Sequence, residues 1–285
     1  MLKQRIITAA VLLVVLLAAL LAPSAWPFVL LSAVLAGCAL WEWLRLSLMP
    51  DMQGLAIPAG FTVAFVLGVL GGRMLLATPD AATTQLLSAV NQVLIPLVAL
   101  LWVVGGTLTV FRAHTTERRH PLLLSLFGVA AVVALWFALA QIFISEGAWG
   151  LVSLMALIWV ADTAAYFSGR ALGRHKLAPR VSPGKTWEGA IGGVVAVLVW
   201  MVASAMWGNS FAAALVGRWG WAAMLLIAVF LTALSIMGDL FESLLKRRAG
   251  VKDSSQLLPG HGGVYDRIDA LFPVIPVAWL LTGGL

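Results

Sequence analysis

Long, uninterrupted apolar runs recur along the whole of this chain, and the run at 122–144 contains no Asp, Glu, Lys or Arg. Runs of roughly 17 to 25 residues have the length that crosses a hydrocarbon layer as α-helix. With 62% hydrophobic and 11% charged residues and a mean hydropathy of +1.01, a soluble globular domain is excluded. A transmembrane barrel would need short segments of alternating polarity, which these runs are not. In lipid every backbone N–H and C=O must pair within the segment, so helices remain. The expected fold is all-α, a polytopic transmembrane helical bundle.

Hydropathy places about nine spans, near 6–22, 26–43, 55–72, 86–111, 122–144, 147–168, 188–208, 219–238 and 270–285. The last is short and carries Pro273 and Pro276, which membrane helices tolerate when neighbours satisfy the freed carbonyls. The first, with Lys3 and Arg5 before an apolar stretch ending at Ala22-Pro23-Ser24-Ala25, also resembles a secretory signal peptide. The next span starts at Trp26, which suits a tight helical hairpin better.

Lys and Arg concentrate in cytoplasmic loops of membrane proteins. With the amino terminus inside, only Arg73 and Arg218 of the 18 Lys and Arg fall on the outer side. That bias supports the odd span count and gathers the polar loops 169–187 and 239–269 on the cytoplasmic side, where nucleotides are. The net charge of +6 therefore records topology and attraction to anionic lipid rather than nucleic acid. Cys38 is the sole cysteine, so no intrachain disulfide is possible, and Trp26, Trp41, Trp43 and Trp102 suit an interfacial aromatic belt. Residues 1–145 form amino-terminal helices without a motif, and 146–285 hold the candidate catalytic region.

Three constellations could carry chemistry. Asp162, in Trp159-Val160-Ala161-Asp162-Thr163, stands near the cytoplasmic end of a span, where an ionised carboxylate costs about 2.5–3.5 kcal/mol and needs a partner. Ser182-Pro183-Gly184-Lys185-Thr186 precedes the seventh span, putting hydroxyls, an ammonium and free amides at a helix amino terminus, which suits phosphate and suits an ordinary capping box with Glu188 equally well. Gly238-Asp239 closes the eighth span and Asp266-Arg267-Ile268-Asp269 opens the ninth. Two carboxylates at one membrane level would hold Mg²⁺, which fills its remaining positions with water and substrate phosphates. At i and i+3, Asp266 and Asp269 would share a helical face. His261, between glycines, is a weak metal signal.

Residues 243–269 resemble the signature of phosphatidate cytidylyltransferases. Ser243, Lys246, Arg247, Lys252, Asp253, Ser255, Leu258, Pro259, His261, Gly262, Gly263, Asp266, Arg267 and Asp269 carry the match. It extends upstream through Asp162 to Tyr166, Ser182 to Gly189 and Gly238 to Ser243. The resemblance implies transfer of a cytidylyl group from CTP to phosphatidic acid, giving CDP-diacylglycerol and pyrophosphate with Mg²⁺. It also implies a multi-spanning, commonly homodimeric protein of the bacterial inner membrane, its active site facing the cytoplasm, and a metal centre of Mg²⁺ with K⁺ as second cation around Asp239 and Asp266.

On this reading Asp239, Asp266, Lys252 and Asp269 are catalytic candidates, with Asp239 and Asp266 on the metal. Asp162, Ser182, Lys185, Thr186, Lys246, Arg247, His261 and Arg267 are substrate-binding candidates. A CTP-dependent lipid kinase acting on a polyprenol or phytol is the nearest alternative, and an ion-coupled transporter using Asp162 is a remote one.

Overall fold

The computed structural model describes residues 2–76, 78–115 and 120–283. Arg118 and Arg119, two of the bases in the topology count, lie outside the described residues.

The apolar runs fold as helices. They are α1 (Leu2–Leu20), α2 (Trp26–Ser47), α3 (Ala56–Met74), α4 (Ala81–Ala89), α5 (Ile95–Leu100), α6 (Thr107–Arg112), α7 (Pro121–Leu172), α8 (Trp187–Ala205), α9 (Phe211–Ala249), α10 (Tyr265–Ile268) and α11 (Leu271–Thr282). Helices α4 to α6 form one rod joined by π-turns at Val90–Leu94 and Leu101–Gly106. The first widening directly precedes Pro96, whose missing N–H and bulky ring disfavour a regular turn there. Side chains start the polar ends: Asp80 accepts from Thr83 N at 2.9 Å, and Ser210 accepts from Ala213 N at 3.0 Å.

Among the described residues, six helical segments are long and apolar enough to cross a membrane: Trp26–Ser47, Pro50–Met74, Ala81–Arg112, Pro121–Leu172, Trp187–Ala205 and Phe211–Ala249. The 52-residue α7 is interrupted at Gly147, whose φ of 71° costs any side-chain-bearing residue strain. Hydropathy reads nine spans; α7 covers two of them, and Ile6–Leu20 and Leu271–Thr282 are shorter apolar helices. Large apolar side chains stay exposed along α3 and α8, among them Phe61, Phe65, Val195 and Val199. An apolar exterior of that extent belongs in lipid, and the chain is an integral membrane protein.

The centre of the bundle is aromatic. Trp43 stacks on Phe241 and Phe272, each 5.6 Å between ring centroids, and Trp102 meets Phe127 and Phe241 edge-on. Trp43 and Trp102 are fully buried, so they are core residues and not part of an interfacial belt. The indole N–H of Trp43 donates to Leu124 O at 3.0 Å, which satisfies its one polar atom. A reciprocal amide pair between Asn91 and Gln141, at 2.9 and 3.0 Å, ties the α4–α6 rod to α7, and Trp279 of α11 donates to Asn91 at 3.2 Å. Such bonds hold apolar helices together where hydrophobic burial alone does not distinguish neighbour from lipid.

The departure from an all-helical chain is a small hairpin, β1 (Lys176–Ala178) against β2 (Ser182–Thr186), antiparallel with Lys176 opposite Thr186. It lies in the polar segment between α7 and α8, beyond the apolar runs, where helical backbone pairing is no longer enforced.

Trp43→Ala should lower stability by about 3–5 kcal/mol, the usual cost of emptying a large aromatic site. Phe65→Ala, on an exposed face, should change it far less. Thermal unfolding of the two variants in the same detergent checks the contrast.

Candidate active site

The polar segment after α9 is held from below by a residue of α2. Glu42 is completely buried, and its carboxylate accepts four hydrogen bonds: from Ser254 Oγ at 2.9 Å, Ser255 Oγ at 2.5 Å, Val264 N at 3.0 Å and Tyr265 N at 2.6 Å. A buried carboxylate is tolerable only when its lone pairs are so used. Both ends of the loop 254–265 are thereby pinned to one side chain. Gly263 belongs to the same seat, since a Cβ there would collide with Ser254 Oγ and the Glu42 carboxylate. The amino-terminal helix α1 also touches the loop, with Thr8 Oγ1 donating to Pro259 O at 3.1 Å.

Above Glu42 lies a network of paired charges. Lys246 Nζ sits 2.7 Å from Glu242 Oε1, one turn back on α9, and 2.9 Å from Asp266 Oδ1 on α10. Asp266 also accepts from Ser254 N at 3.0 Å and Gly263 N at 2.8 Å. Burial works to raise the Asp266 carboxyl, but hydrogen bonding to Glu242, Lys246 and the Gly263 amide outweighs it and holds the group well below the usual carboxylate range.

A second group forms around Lys185. Its ammonium lies 2.6 Å from Asp239 Oδ2, and Asp162 and Asp269 are within electrostatic reach of both. Asp269 accepts from Ala270 N at 2.8 Å, and burial, with the Asp239 carboxylate beside it, pushes its carboxyl well above the ordinary value. The two groups adjoin, because Glu242 feels the charge of Asp269. Asp266 and Asp269 have different nearest partners, Asp266 meeting Lys246 and Asp269 the Ala270 amide, while both act on Glu242.

The hairpin explains how Lys185 arrives. Thr186 is the N-cap of α8, accepting from Gly189 N at 3.1 Å, and Trp187 N donates to His175 O at 2.9 Å. Glu188 turns back to accept from Arg174 N at 3.1 Å and meets the His175 ring at 2.7 Å, so it secures the hairpin's entrance rather than closing a box on Thr186. Ser182 pairs with Ala178 in the hairpin. Arg247 Nε donates to Val181 O at 3.4 Å, and Arg248 Nε to His114 O at 2.8 Å, joining α9 to the hairpin and to the end of α6. Both guanidinium groups brace the loops that frame the site.

The remaining candidates stand apart from the acids. Arg267 donates through Nε, at 3.0 Å, and Nη2 to His261 O, closing the glycine turn, while the His261 Nδ1 atom is buried without a partner among the described residues. Lys252 is exposed and lines a cavity of about 930 Å³ bounded by Trp41, Arg45, Gln53 and residues 249–257.

The motif residues therefore converge on one end of the bundle. Among the described residues no three His, Cys, Asp or Glu side chains gather at metal-ligand spacing. The donor chemistry nevertheless fits a divalent cation, since Asp239 and Asp266 each bring a carboxylate to this end of the bundle and Asp162 and Asp269 lie within electrostatic reach of Asp239. Mg²⁺ needs only one or two carboxylates when phosphates complete its shell. Glu42 was not legible as a site residue. Its only sequence signal is an acid between two tryptophans inside an apolar run, which identifies a buried charge but not its partner.

Glu42→Ala would strand two buried amides and two hydroxyls at roughly 1–3 kcal/mol each. It should lower the melting temperature markedly, whereas Glu42→Gln, which keeps acceptor capacity at one oxygen, should lower it less. Equal melting temperatures for Glu42→Ala and wild type would remove Glu42 as the support of this loop.

The profile of the Cytidylyltransferase family matches residues 3–283. The chain is similar to the phosphatidate cytidylyltransferase of Haemophilus influenzae, 35% identical over 286 residues, covering 97% of this chain and 96% of that one. It is also similar to that of Pseudomonas aeruginosa, 38% identical over 282 residues and covering 97% and 95%. That of Brucella melitensis is 49% identical over 133 residues, 46% of this chain and 45% of the relative. With its profile running nearly end to end, and relatives above 30% identity covered almost completely, the chain belongs to the Cytidylyltransferase family.

Proposed function

We infer that this protein transfers a cytidylyl group from CTP to phosphatidic acid, forming CDP-diacylglycerol and pyrophosphate, a step of phospholipid biosynthesis. The observation that carries this reading is the end-to-end similarity to proteins named for that activity, combined with convergence of acids and bases on a single end of a lipid-embedded bundle.

The reaction needs little proton chemistry. A phosphomonoester has its second pKa near 6, so a phosphatidate oxygen is already nucleophilic at neutral pH. That oxygen attacks the α-phosphorus of CTP. A new P–O bond forms, the bond from the α-phosphorus to the bridging oxygen breaks, and pyrophosphate leaves with the electron pair. The obstacle is the meeting of two polyanions, so positioning and neutralisation dominate.

Asp239 and Asp266 would hold Mg²⁺, with Asp162 and Asp269 completing the acidic surround or serving a second cation such as K⁺. The bound metal would supply charge neutralisation on the CTP phosphates. Lys185 and Lys246 are already paired with these two carboxylates at 2.6 and 2.9 Å. A cation at the carboxylates would release both ammoniums towards phosphate. Arg247 and Arg267, through the loops they brace, keep that surround in place, and Ser182 and Thr186 present Lys185. An apolar groove of about 340 Å³ lined by Ala156, Trp159, Val160 and Thr163 lies on the same helix as Asp162, where an acyl chain would lie.

The finer arrangement is proposed as nine spans with the amino terminus and the site on the cytoplasmic side of a bacterial inner membrane, in a homodimer. The charge bias of the loops supports the sidedness. A cysteine introduced at 253 in a Cys38→Ser background should react with a membrane-impermeant maleimide in inverted vesicles and not in intact spheroplasts. The reverse pattern would invert the topology.

Purified protein given CTP, Mg²⁺ and phosphatidate should release pyrophosphate and CDP-diacylglycerol in equal amounts. Release of CDP without pyrophosphate would instead indicate a lipid kinase. Asp239→Asn and Asp266→Asn should each abolish turnover while the protein remains folded, and Lys185→Ala should raise the KM for CTP about tenfold or more, the loss of one charge-assisted contact. Near-normal turnover in either asparagine variant would refute the metal assignment.

A further inference from the structure

The cavity between α2 and the segment after α9 is built as a binding site. One wall is the last part of α2, with Trp41, Arg45 and Leu46, and the other is residues 249–257, with Lys252 and Asp253. The second wall is held rigidly because Glu42, one residue from Trp41, fixes Ser254 and Ser255 from behind at 2.9 and 2.5 Å. Ser254 also connects the cavity to the acids, since its N–H donates to Asp266 at 3.0 Å.

Two cations face this space without a carboxylate partner among the described residues. The Arg45 guanidinium lies 5.1 Å from the centre of the Trp41 ring, and Lys252 carries no ion pair. Elsewhere at this end of the bundle Lys185 and Lys246 are paired with acids at 3 Å or less. Asp253 lines the cavity too, leaving one net positive charge among the three. Arginine presents a rigid planar fork that matches phosphate oxygens, and an aromatic face beneath it limits its freedom. The backbone of Arg45 is itself tied, its carbonyl accepting from Gln53 Nε2 at 3.2 Å.

We propose that Arg45, together with Lys252, binds a phosphate-ester anion in this cavity, so that the last turn of α2 is part of the substrate site. The proposal rests on the cytidylyl-transfer reading, because both substrates of that reaction carry such a group. The cavity is lined mostly by polar side chains, Gln53, Lys252, Asp253, Ser254, Ser255 and Gln256 among them, which favours the nucleotide phosphates over the lipid headgroup as occupant.

The test uses the full chain in nanodiscs, as wild type, Arg45→Ala and Arg45→Lys. KM is measured for CTP at saturating phosphatidate and for phosphatidate at saturating CTP. Arg45→Ala should raise the KM for CTP about tenfold or more, and Arg45→Lys should recover part of the loss. A rise confined to phosphatidate would assign the same anion site to the lipid headgroup. Both constants within twofold of wild type in Arg45→Ala, whatever happens to kcat, would overturn the subsite and leave the reaction standing. A wild-type protein that makes no CDP-diacylglycerol would overturn the reaction itself. Arg45 is exposed, so both variants should melt with the wild type. Failure of both to fold would assign Arg45 a structural role and also overturn the subsite.

Discussion

The Glu42 carboxylate is the contact on which the site depends. It is a full charge withdrawn from water, and four donors from one loop are what make that withdrawal tolerable. The dependence is mutual. A loop of serines, glycines and charged residues has no apolar face with which to pack, so it takes a shape only if its polar groups find fixed partners. Glu42 supplies that partner from the one side the bundle offers. Ser254 then spans two roles, its hydroxyl on Glu42 and its amide on Asp266, and through it the helix α2 sets where the acid of α10 stands.

Outward from that seat, charges are arranged as exchangeable pairs. Lys246 bridges Glu242 and Asp266, and Lys185 meets Asp239 in a neighbourhood that also holds Asp162 and Asp269. A pair of this kind holds acid and ammonium together in a poorly solvated place without committing either. On the proposed reading, an incoming polyphosphate with a divalent cation would offer each member another partner of the same sign as the one it leaves. The bundle contributes rigidity to this exchange through its aromatic centre, where Trp43 of α2 packs on Phe241 of α9 and Phe272 of α11. Glu42 follows Trp41 and precedes Trp43 on the same turn, so core packing and loop support are transmitted by adjacent residues.

Much of this was legible beforehand and for physical reasons. Apolar runs of membrane length can only be helices, and acids and bases concentrated at 182–189 and 238–269 can only lie at or beyond the apolar layer. Lys185 and Asp239 do come together, with Asp162 within electrostatic reach of both. The errors are equally instructive. Trp43 and Trp102 were read as interfacial because tryptophan favours that depth, yet they fill the core, where packing overrides the preference. Asp266 and Asp269 keep helical backbone between them and both act on Glu242, but their nearest partners differ, which spacing does not reveal. Thr186 proved to be a cap, one of two readings its spacing left open, and Glu42 was not read at all.

From its sequence alone this chain was bound to be a helical membrane protein with its chemistry gathered in a few polar segments, because hydrocarbon leaves the backbone no other way to pair and expels charge to its edges. The motif residues also identify the family, since so many fixed positions over so short a span do not recur by chance. Which acid meets which base was decided only by the tertiary structure. Ion pairs and buried carboxylates depend on distances of a few ångströms between helices far apart in the chain, and nothing local to Glu42, at position 42, names Ser254, Ser255, Val264 or Tyr265 as the groups that surround it.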